Sequence, residues 1–175
     1  MPKQSYKLEQ VAIRMVKERP LASNEPIDSP EAVIPVMQKL LSDFDREVFA
    51  VVNLQTDLKP INMNIVSVGA LNASLVHPRE VIKSVVLSNA AAVMLVHNHP
   101  SGRLVPSKED MSVTKQLMEI LNLMQVELLD HVIIGTDDRY YSFREHCTLP
   151  AKEPRDWNTT EPVDLKRQKR PEPER

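Results

Sequence analysis

The sequence predicts an α/β fold in which one mixed β-sheet is flanked by helices. Short apolar, β-branched segments alternate along the chain with longer segments whose apolar residues recur every three to four positions. The 175 residues, 42% of them hydrophobic, are enough for one domain with its own core and terminal extensions. We expect that domain at residues 30–148, after a helix and loop at 1–29 and before a polar, disordered tail at 149–175.

Two helices are expected ahead of the sheet. Residues 6–18 place Leu8, Val11, Ala12 and Met15 at helical spacing. A Pro- and Ser-rich loop follows at 18–30. Ser29 and Pro30 then suit the N-cap and first turn of a second helix, which ends near Leu41 and could be kinked at Pro35. Its predicted core-facing residues are Val33, Met37, Leu40 and Leu41.

A β-hairpin is expected next, with strands at 47–55 and 61–69. The second strand begins with apolar residues alternating against Asn62 and Asn64, which puts Ile61, Met63 and Ile65 on one face. The alternation fails at residues 66–68, where the apolar positions change face.

The remaining elements form a strand–helix–strand unit with one helix ahead of it. A loop at 72–80 enters a helix at Pro78. The apolar run 90–96 is a buried strand, 107–124 a helix, and 126–135 and 140–143 are strands around a turn at 136–138. The helix that starts at Pro78 is predicted to face the core with Val81, Ile82, Val85 and Val86.

Composition excludes several classes of function. A net charge of −2 provides no overall positive field for nucleic acid, and no run of eighteen apolar residues predicts a membrane span. The single cysteine, Cys147, cannot form an internal disulfide, and the N-terminus lacks an apolar signal core, so we expect a cytoplasmic protein. Three glycines are too few for a glycine-rich phosphate loop.

The segment HNHPSGRLVPSKED, residues 97–110, is the strongest candidate site. His97 and His99 stand two apart directly after a strand, a spacing that points both imidazoles to the same side. Asp110, one turn into the next helix, could supply a third ligand. Three protein ligands and one open position are typical of catalytic zinc. The same residues also suit a tight loop followed by a capping box from Ser107 to Asp110. On spacing alone, the metal site and the capped helix both remain open.

The wider pattern resembles a known family. His97-Asn98-His99, seven residues, Ser107, two residues and Asp110 match the signature of the JAMM, or MPN-plus, metalloproteases. The flanking segments ASLVHPREV, AAAVMLVHNHPSG and LLDHVIIG are similar to the RadC branch, the JAB domain of bacterial RadC-like proteins. This resemblance covers roughly residues 30–145. It implies an MPN/JAB-type domain layered like the cytidine deaminases, and a zinc metallopeptidase with one Zn²⁺ per chain.

The resemblance also implies roles for two further residues. In that family a glutamate on the first strand holds the attacking water and acts as general acid and base, and Glu47 stands at the matching position. Glu80 competes for this role, although an acid in the first turn of a helix is also favoured by the helix dipole. The hydroxyl of Ser107 would donate to the developing oxyanion, in addition to capping its helix.

The remaining candidate residues have weaker support for a role in the site. His77 and Arg79 match the family pattern without an evident role. Asp130 and His131 are interpreted as a buried structural pair, or else as an interaction that orients a ligand. Asn89 and Asn98 could satisfy backbone groups near the metal loop, whereas Trp157 and Cys147 are assigned nothing. Arg103-Leu104-Val105 replaces an acidic, proline-containing segment of relatives, so substrate preference is expected to differ.

Three functions stay open at this point. The first is hydrolysis of a peptide or isopeptide bond in a peptide or protein conjugate. The second is a DNA-repair or mobile-element role that binds or cuts DNA, supported by the family name and by the basic run at residues 166–170. The third is a non-catalytic interaction module in which the metal only fixes the loop. The sequence specifies neither the substrate nor the oligomeric state.

Overall fold

The computed structural model describes residues 12, 14–18, 26–41, 44–69, 76–135 and 139–150, and it confirms the predicted α/β fold. Within these residues the elements are α1 (Pro30–Leu41), β1 (Val48–Leu54), β2 (Pro60–Val68), α2 (Pro78–Leu87), β3 (Ala92–Asn98), α3 (Lys108–Leu123), β4 (Glu127–Ile134) and β5 (Tyr140–Ser142).

The five strands form one mixed sheet in the order β2-β1-β3-β4-β5. β3 and β4 are parallel and are joined through α3, whereas the other neighbouring pairs are antiparallel. The carboxyl ends of β3 and β4 therefore meet at one edge of the sheet, beside the start of β1. Ligand sites in α/β sheets favour such edges.

Two apolar layers cover the sheet. Both β1 and β3 are buried along their whole length, as expected for central strands with helices on each side. Alternate residues of these strands pack toward α1 on one face and toward α2 and α3 on the other. The predicted core residues of α1 are all buried, namely Val33, Met37, Leu40 and Leu41.

The broken alternation of β2 has a structural cause. The pairing with β1 skips one residue at Ile61 and another at Val66, so the strand carries two irregularities. Each extra residue turns the following side chains to the opposite face. Ile61 and Val66 consequently pack on the α2–α3 side, and Met63 and Ile65 on the α1 side. The prediction that Ile61 shares a face with Met63 is therefore wrong.

Two helix predictions are also corrected. Residues 14–18, the described end of the helix expected at 6–18, have no helical structure. A short helix needs tertiary packing, and Val16 is 85% exposed. In α2, Val81 and Val85 face the core, but Val86 is 52% exposed, because it lies one residue, or about 100° of rotation, past Val85.

Parts of the predicted architecture lie outside the described residues. These are the first residues of the N-terminal segment, the turn at 136–138 and the tail from residue 151, with Trp157 and the basic run at 166–170. In the described part of the chain, no helix combines the length and the apolar character needed to span a membrane.

Candidate metal centre

The two histidines lie where β3 leaves the sheet. His97 is the sixth residue of this strand, pairs with Phe49 of β1 and is 4% exposed. His99 follows the strand and continues its pairing, since its backbone N–H donates to the carbonyl of Ile134 at 3.0 Å. Their Nε2 atoms are 3.0 Å apart, which confirms that the spacing of two directs both rings to one point.

Asp110 reaches the same point from α3. Ser107 is the N-cap of this helix and forms a complete capping box with Asp110. Asp110 Oδ1 lies 3.3 Å from His97 Nε2, and Oδ2 lies 3.6 Å from His99 Nε2. The capped helix and the ligand cluster are therefore one structure, because the cap holds the Asp110 carboxylate toward the histidines.

The three side chains fit a tetrahedral metal ion. Ligand bonds of about 2.0–2.2 Å in tetrahedral geometry separate neighbouring donor atoms by about 3.3–3.6 Å. The distances of 3.0, 3.3 and 3.6 Å among His97, His99 and Asp110 bracket that value. In the described part of the chain, these residues are the group of His, Cys, Asp and Glu side chains that could hold a metal ion. Two imidazoles and one carboxylate suit zinc and its neighbours in the first transition series.

The histidines differ in protonation. Burial lowers the pKa of His97 to about 4, so its ring is neutral at physiological pH. Burial also lowers the pKa of His99, but hydrogen bonds to Asp110 and to the Arg103 carbonyl outweigh it and raise that pKa overall. The pKa of Asp110 is held well below its usual value despite burial, because His99 and Ser107 donate to its carboxylate.

Each histidine is also oriented through its Nδ1 atom. His99 Nδ1 donates to the backbone carbonyl of Arg103 at 2.5 Å. His97 Nδ1 lies 2.8 Å from His131 Nε2, and His131 Nδ1 lies 2.6 Å from the Thr114 hydroxyl. Such outer contacts set the direction of a ligand's lone pair. Thr114 is not among the residues that the sequence predicts for the site, although it stands four residues after Asp110 on the same face of α3.

Aromatic rings enclose the inner part of the site. Phe49 stacks on His97 with ring centroids 5.8 Å apart, and Phe143 stacks on His131 at 4.6 Å. Both phenylalanines are at most 2% exposed. This apolar enclosure keeps water from the His97–His131 contact and strengthens its hydrogen bonds.

Glu47 lies at the same edge of the sheet. Continuing the β1–β3 pairing past Phe49 and His97 brings Glu47 opposite His99. The charge of Glu47 contributes to the raised pKa of His99, which indicates that the two side chains are close. Glu80, the competing acid, forms an ion pair with Lys83 on α2.

The Asn98 side chain holds the backbone on both sides of Glu47. Its Oδ1 accepts from the Val48 N–H at 2.7 Å, and its Nδ2 donates to the Arg46 carbonyl at 3.2 Å. The Glu47 carbonyl in turn accepts from the Gly69 N–H at 2.8 Å. Asn98, which stands between the two histidines, thus fixes the backbone of Glu47, the candidate acid–base residue. This agrees with the expectation that Asn98 satisfies backbone groups near the metal loop.

The Ser107 hydroxyl has a defined partner. It donates to Asp110 Oδ2 at 2.6 Å and accepts from the Asp110 N–H at 3.0 Å. Its one proton is therefore engaged with the carboxylate in this state. Donation to an oxyanion would require the hydroxyl to turn away from Asp110.

The remaining candidate residues make different contacts in the structure. Asp130 and His131 are both buried, as predicted, and Asp130 Oδ1 accepts from the backbone N–H of His131 at 2.7 Å, but their side chains do not pair with each other and bind different partners. Asp130 accepts from the Ser142 hydroxyl at 2.5 Å and from the Arg144 N–H at 2.9 Å, which fixes the turn after β5. His77 is the N-cap residue of α2 and makes no capping hydrogen bond through its side chain.

Three further side chains stand apart from the ligand cluster. Arg79 is exposed on α2, and the thiol of Cys147 is free and exposed. Asn89 adopts a left-handed backbone conformation (φ 49°) after α2, which asparagine tolerates well.

Comparison with known proteins gives a consistent result. The model of the RadC-like JAB domain matches residues 27–148. A UPF0758 protein of Rubrobacter xylanophilus is 46% identical over 123 residues, which is 70% of this chain and 53% of that protein. One from Desulfitobacterium hafniense is 43% identical over 136 residues, 78% of this chain and 59% of the relative. The chain spans about half the length of the curated relatives it matches.

Proposed function

Because the chain belongs to the RadC-like JAB domain family, we propose that it is a zinc-dependent hydrolase that cleaves a peptide or isopeptide bond. The observation that carries the proposal is the convergence of His97, His99 and Asp110, whose donor atoms lie 3.0–3.6 Å apart. A fourth protein ligand from the described residues does not join this group. Three protein ligands are the pattern of catalytic zinc, whereas structural zinc usually has four.

The three ligands would hold one Zn²⁺ per chain. When bound, zinc would supply Lewis-acid chemistry, polarising a carbonyl and lowering the pKa of water at the open position toward about 7. Two neutral imidazoles and one carboxylate leave a net positive charge on the centre, which favours this chemistry. An extended substrate would approach along the edge of the sheet, where the Asp110 side chain is 16% exposed, whereas His97 and His99 are 4% and 8% exposed.

Glu47 is the proposed general acid and base. Its carboxylate would take a proton from the attacking water and return it to the leaving amine. Its half-buried position opposite His99 and its braced backbone support this role. The ion pair of Glu80 with Lys83 makes that alternative less suitable.

Ser107 is the proposed oxyanion donor. Its hydroxyl stands beside Asp110 and would turn from the carboxylate toward the oxygen that becomes negative. The N-cap would then keep the two hydrogen bonds that do not use this proton, from the Asp110 N–H to Ser107 Oγ at 3.0 Å and from the Ser107 N–H to Asp110 Oδ2 at 2.7 Å. A peptide or protein conjugate is the proposed substrate. The segment at residues 103–105, whose first residue bonds His99 and whose Arg103 and Val105 are exposed, would contact it.

Metal content tests the proposal first. Mass spectrometry should find about one zinc per chain in the wild type and none in His97→Ala/His99→Ala. Absence of metal in the wild type, even after zinc is added back, would overturn the hydrolase assignment.

Activity is then screened on peptide and isopeptide substrates. Glu47→Gln should keep the metal and lose turnover by at least about 100-fold, the lower range for loss of a general base. Glu80→Gln is the matched control and should behave as the wild type. An inactive Glu80→Gln together with an active Glu47→Gln would show that Glu80, and not Glu47, is the general acid and base.

A further inference from the structure

The two metal-binding histidines are oriented by partners of different kinds. His99 Nδ1 lies 2.5 Å from the backbone carbonyl of Arg103. A carbonyl oxygen can only accept, so His99 carries a proton on Nδ1 and directs Nε2 toward the ligand cluster. His97 has no such fixed partner. Its Nδ1 faces Nε2 of His131, and a neutral imidazole can donate or accept at either nitrogen.

The direction of the His97–His131 hydrogen bond is set by Thr114, the partner of the other ring nitrogen of His131. Thr114 Oγ1 lies 2.5 Å from the Asp110 carbonyl and 2.6 Å from His131 Nδ1. The hydroxyl has one proton, and the carbonyl can only accept it. Thr114 Oγ1 must therefore accept from His131 Nδ1–H, and His131 Nε2 is left as an acceptor for His97 Nδ1–H.

We propose that Thr114, acting through His131, sets the tautomer of His97 that presents the Nε2 lone pair to the metal. Thr114 and His131 are positioning residues for the ligand, and the inference rests on the proposed metal site. The chain of hydrogen bonds from His97 through His131 to Thr114 is called the relay below. It ends at the same site, because its last acceptor is the backbone carbonyl of the third ligand residue, Asp110.

Burial makes this relay effective. Thr114 and His131 are 0% exposed, and His97 is 4% exposed. Phe49 and Phe143 stack on the two rings. Since solvent has little access to either ring, the other tautomer could not be satisfied by water, and the Thr114 hydroxyl decides between the two.

Thr114→Val and Thr114→Ser form a matched pair of variants. Valine keeps the shape of threonine but has no hydroxyl, so a proton on His131 Nδ1 would be buried without an acceptor. The His131 proton should move to Nε2, and the His97 proton from Nδ1 to Nε2, where it blocks the metal. Serine keeps the hydroxyl and should preserve the wild-type arrangement.

The test is nitrogen-15 NMR of metal-free, histidine-labelled protein at mildly alkaline pH, with zinc affinity from chelator competition. In the wild type and Thr114→Ser, His97 Nδ1 should have the shift of a protonated nitrogen and Nε2 that of an unprotonated one. Thr114→Val should reverse the two shifts and weaken zinc binding by about 10- to 100-fold, the usual effect of losing an outer partner.

Failure of the relay is distinguishable from failure of the metal site. An unprotonated Nδ1 on His97 in the wild type overturns the relay, whether or not Thr114→Val folds. Unchanged shifts and affinity in Thr114→Val overturn it as well, while the metal site stands. A wild type that binds no zinc overturns the proposed function, and the nitrogen shifts still decide the tautomer.

Discussion

The candidate centre has an enclosed side and an open side. On the enclosed side, the partners of His97 outside the ligand cluster are themselves buried, namely His131 through a hydrogen bond and Phe49 through stacking. On the open side, His99 is held by the backbone of an exposed loop at Arg103, and Asp110 by an exposed serine. The two sides meet within 3.0–3.6 Å at the ligand atoms.

The two sides differ in the protonation of their histidines and in their access to water. Burial keeps His97 neutral and ready to bind a cation, whereas His99 and Asp110 share a proton through their pairing. Water can replace a lost partner on the open side, but on the enclosed side a lost partner leaves a polar group unsatisfied. The enclosed side therefore holds its ligand in one orientation, whereas the open side borders solvent through Ser107 and Arg103, which are exposed.

The largest effect is expected for the carboxylate ligand on the open side. Asp110→Asn removes the negative charge but keeps an oxygen that can accept from Ser107. Zinc affinity should fall by more than about 100-fold, beyond the effect of an outer partner. The free energy of unfolding of the metal-free protein should fall by no more than about 1 kcal/mol, because the cap survives and only the partly exposed pairing of Asp110 with His99 is lost. Chelator competition and urea unfolding measure the two quantities, and a large loss of stability would show that the carboxylate is mainly structural.

His131→Ala tests the enclosed side. It leaves His97 Nδ1 and Thr114 Oγ1 without their partner and opens a cavity beside Phe143. The free energy of unfolding of the metal-free protein should fall by about 3 kcal/mol. His77→Ala, at an exposed histidine without a capping bond, is the control and should stay within about 0.5 kcal/mol. A loss in His131→Ala no larger than that of the control would show that the enclosed side does not depend on this buried contact.

The pH dependence of metal binding separates the two histidines. His97, with a pKa of about 4, and Asp110, with a lowered pKa, are both unprotonated above about pH 4. The pKa of His99 is raised, so between about pH 4 and the pKa of His99 the metal-free protein carries one proton on its ligand side chains. Zinc must displace this proton, and affinity should rise about tenfold per pH unit in this window and then level off.

Calorimetry in buffers of different ionisation enthalpy counts the released protons. One proton per zinc in that window agrees with a neutral His97 beside a protonated His99. Release of two protons would show that His97 is charged as well, and that the enclosed side does not hold it neutral.

The loss of stability expected at Ser107 is smaller than the loss expected at His131. Ser107→Ala should lower the free energy of unfolding by about 1 kcal/mol, and Ser107→Gly by a few tenths, because glycine tolerates the N-cap position. Turnover separates the two roles of this residue. If the hydroxyl donates to an oxyanion, both variants should lose activity equally; if Ser107 only caps α3, the loss of activity should follow the loss of stability.

The sequence predicted the elements more reliably than their faces. Periodicity located α1, α2 and α3 and the strands to within about two residues, because a core-facing stripe repeats with the period of the element. It misplaced Ile61 and Val86. The face of Ile61 depends on a skipped residue in the pairing with β1, and the exposure of Val86 depends on how α2 rests on the sheet.

The ligand set follows from local geometry, which the sequence contains. Residues two apart in extended chain point the same way, and a residue three after an N-cap lies in the first helical turn, so His97, His99 and Asp110 could be named from spacing and from the family signature. The contacts around them are not local. His131 is 34 residues from His97, and Asn98 is 50 residues from Val48.

The sequence by itself determined the fold class, the family and the side chains that can bind a metal. Only the tertiary structure decided which nitrogen of each histidine faces the others, which acid lies opposite His99, and which ligand is shielded from water. The physical reason is that periodicity and short spacings report local backbone geometry, whereas tautomers, pKa values and hydrogen-bond direction depend on groups that the packing of the sheet against α3 brings together.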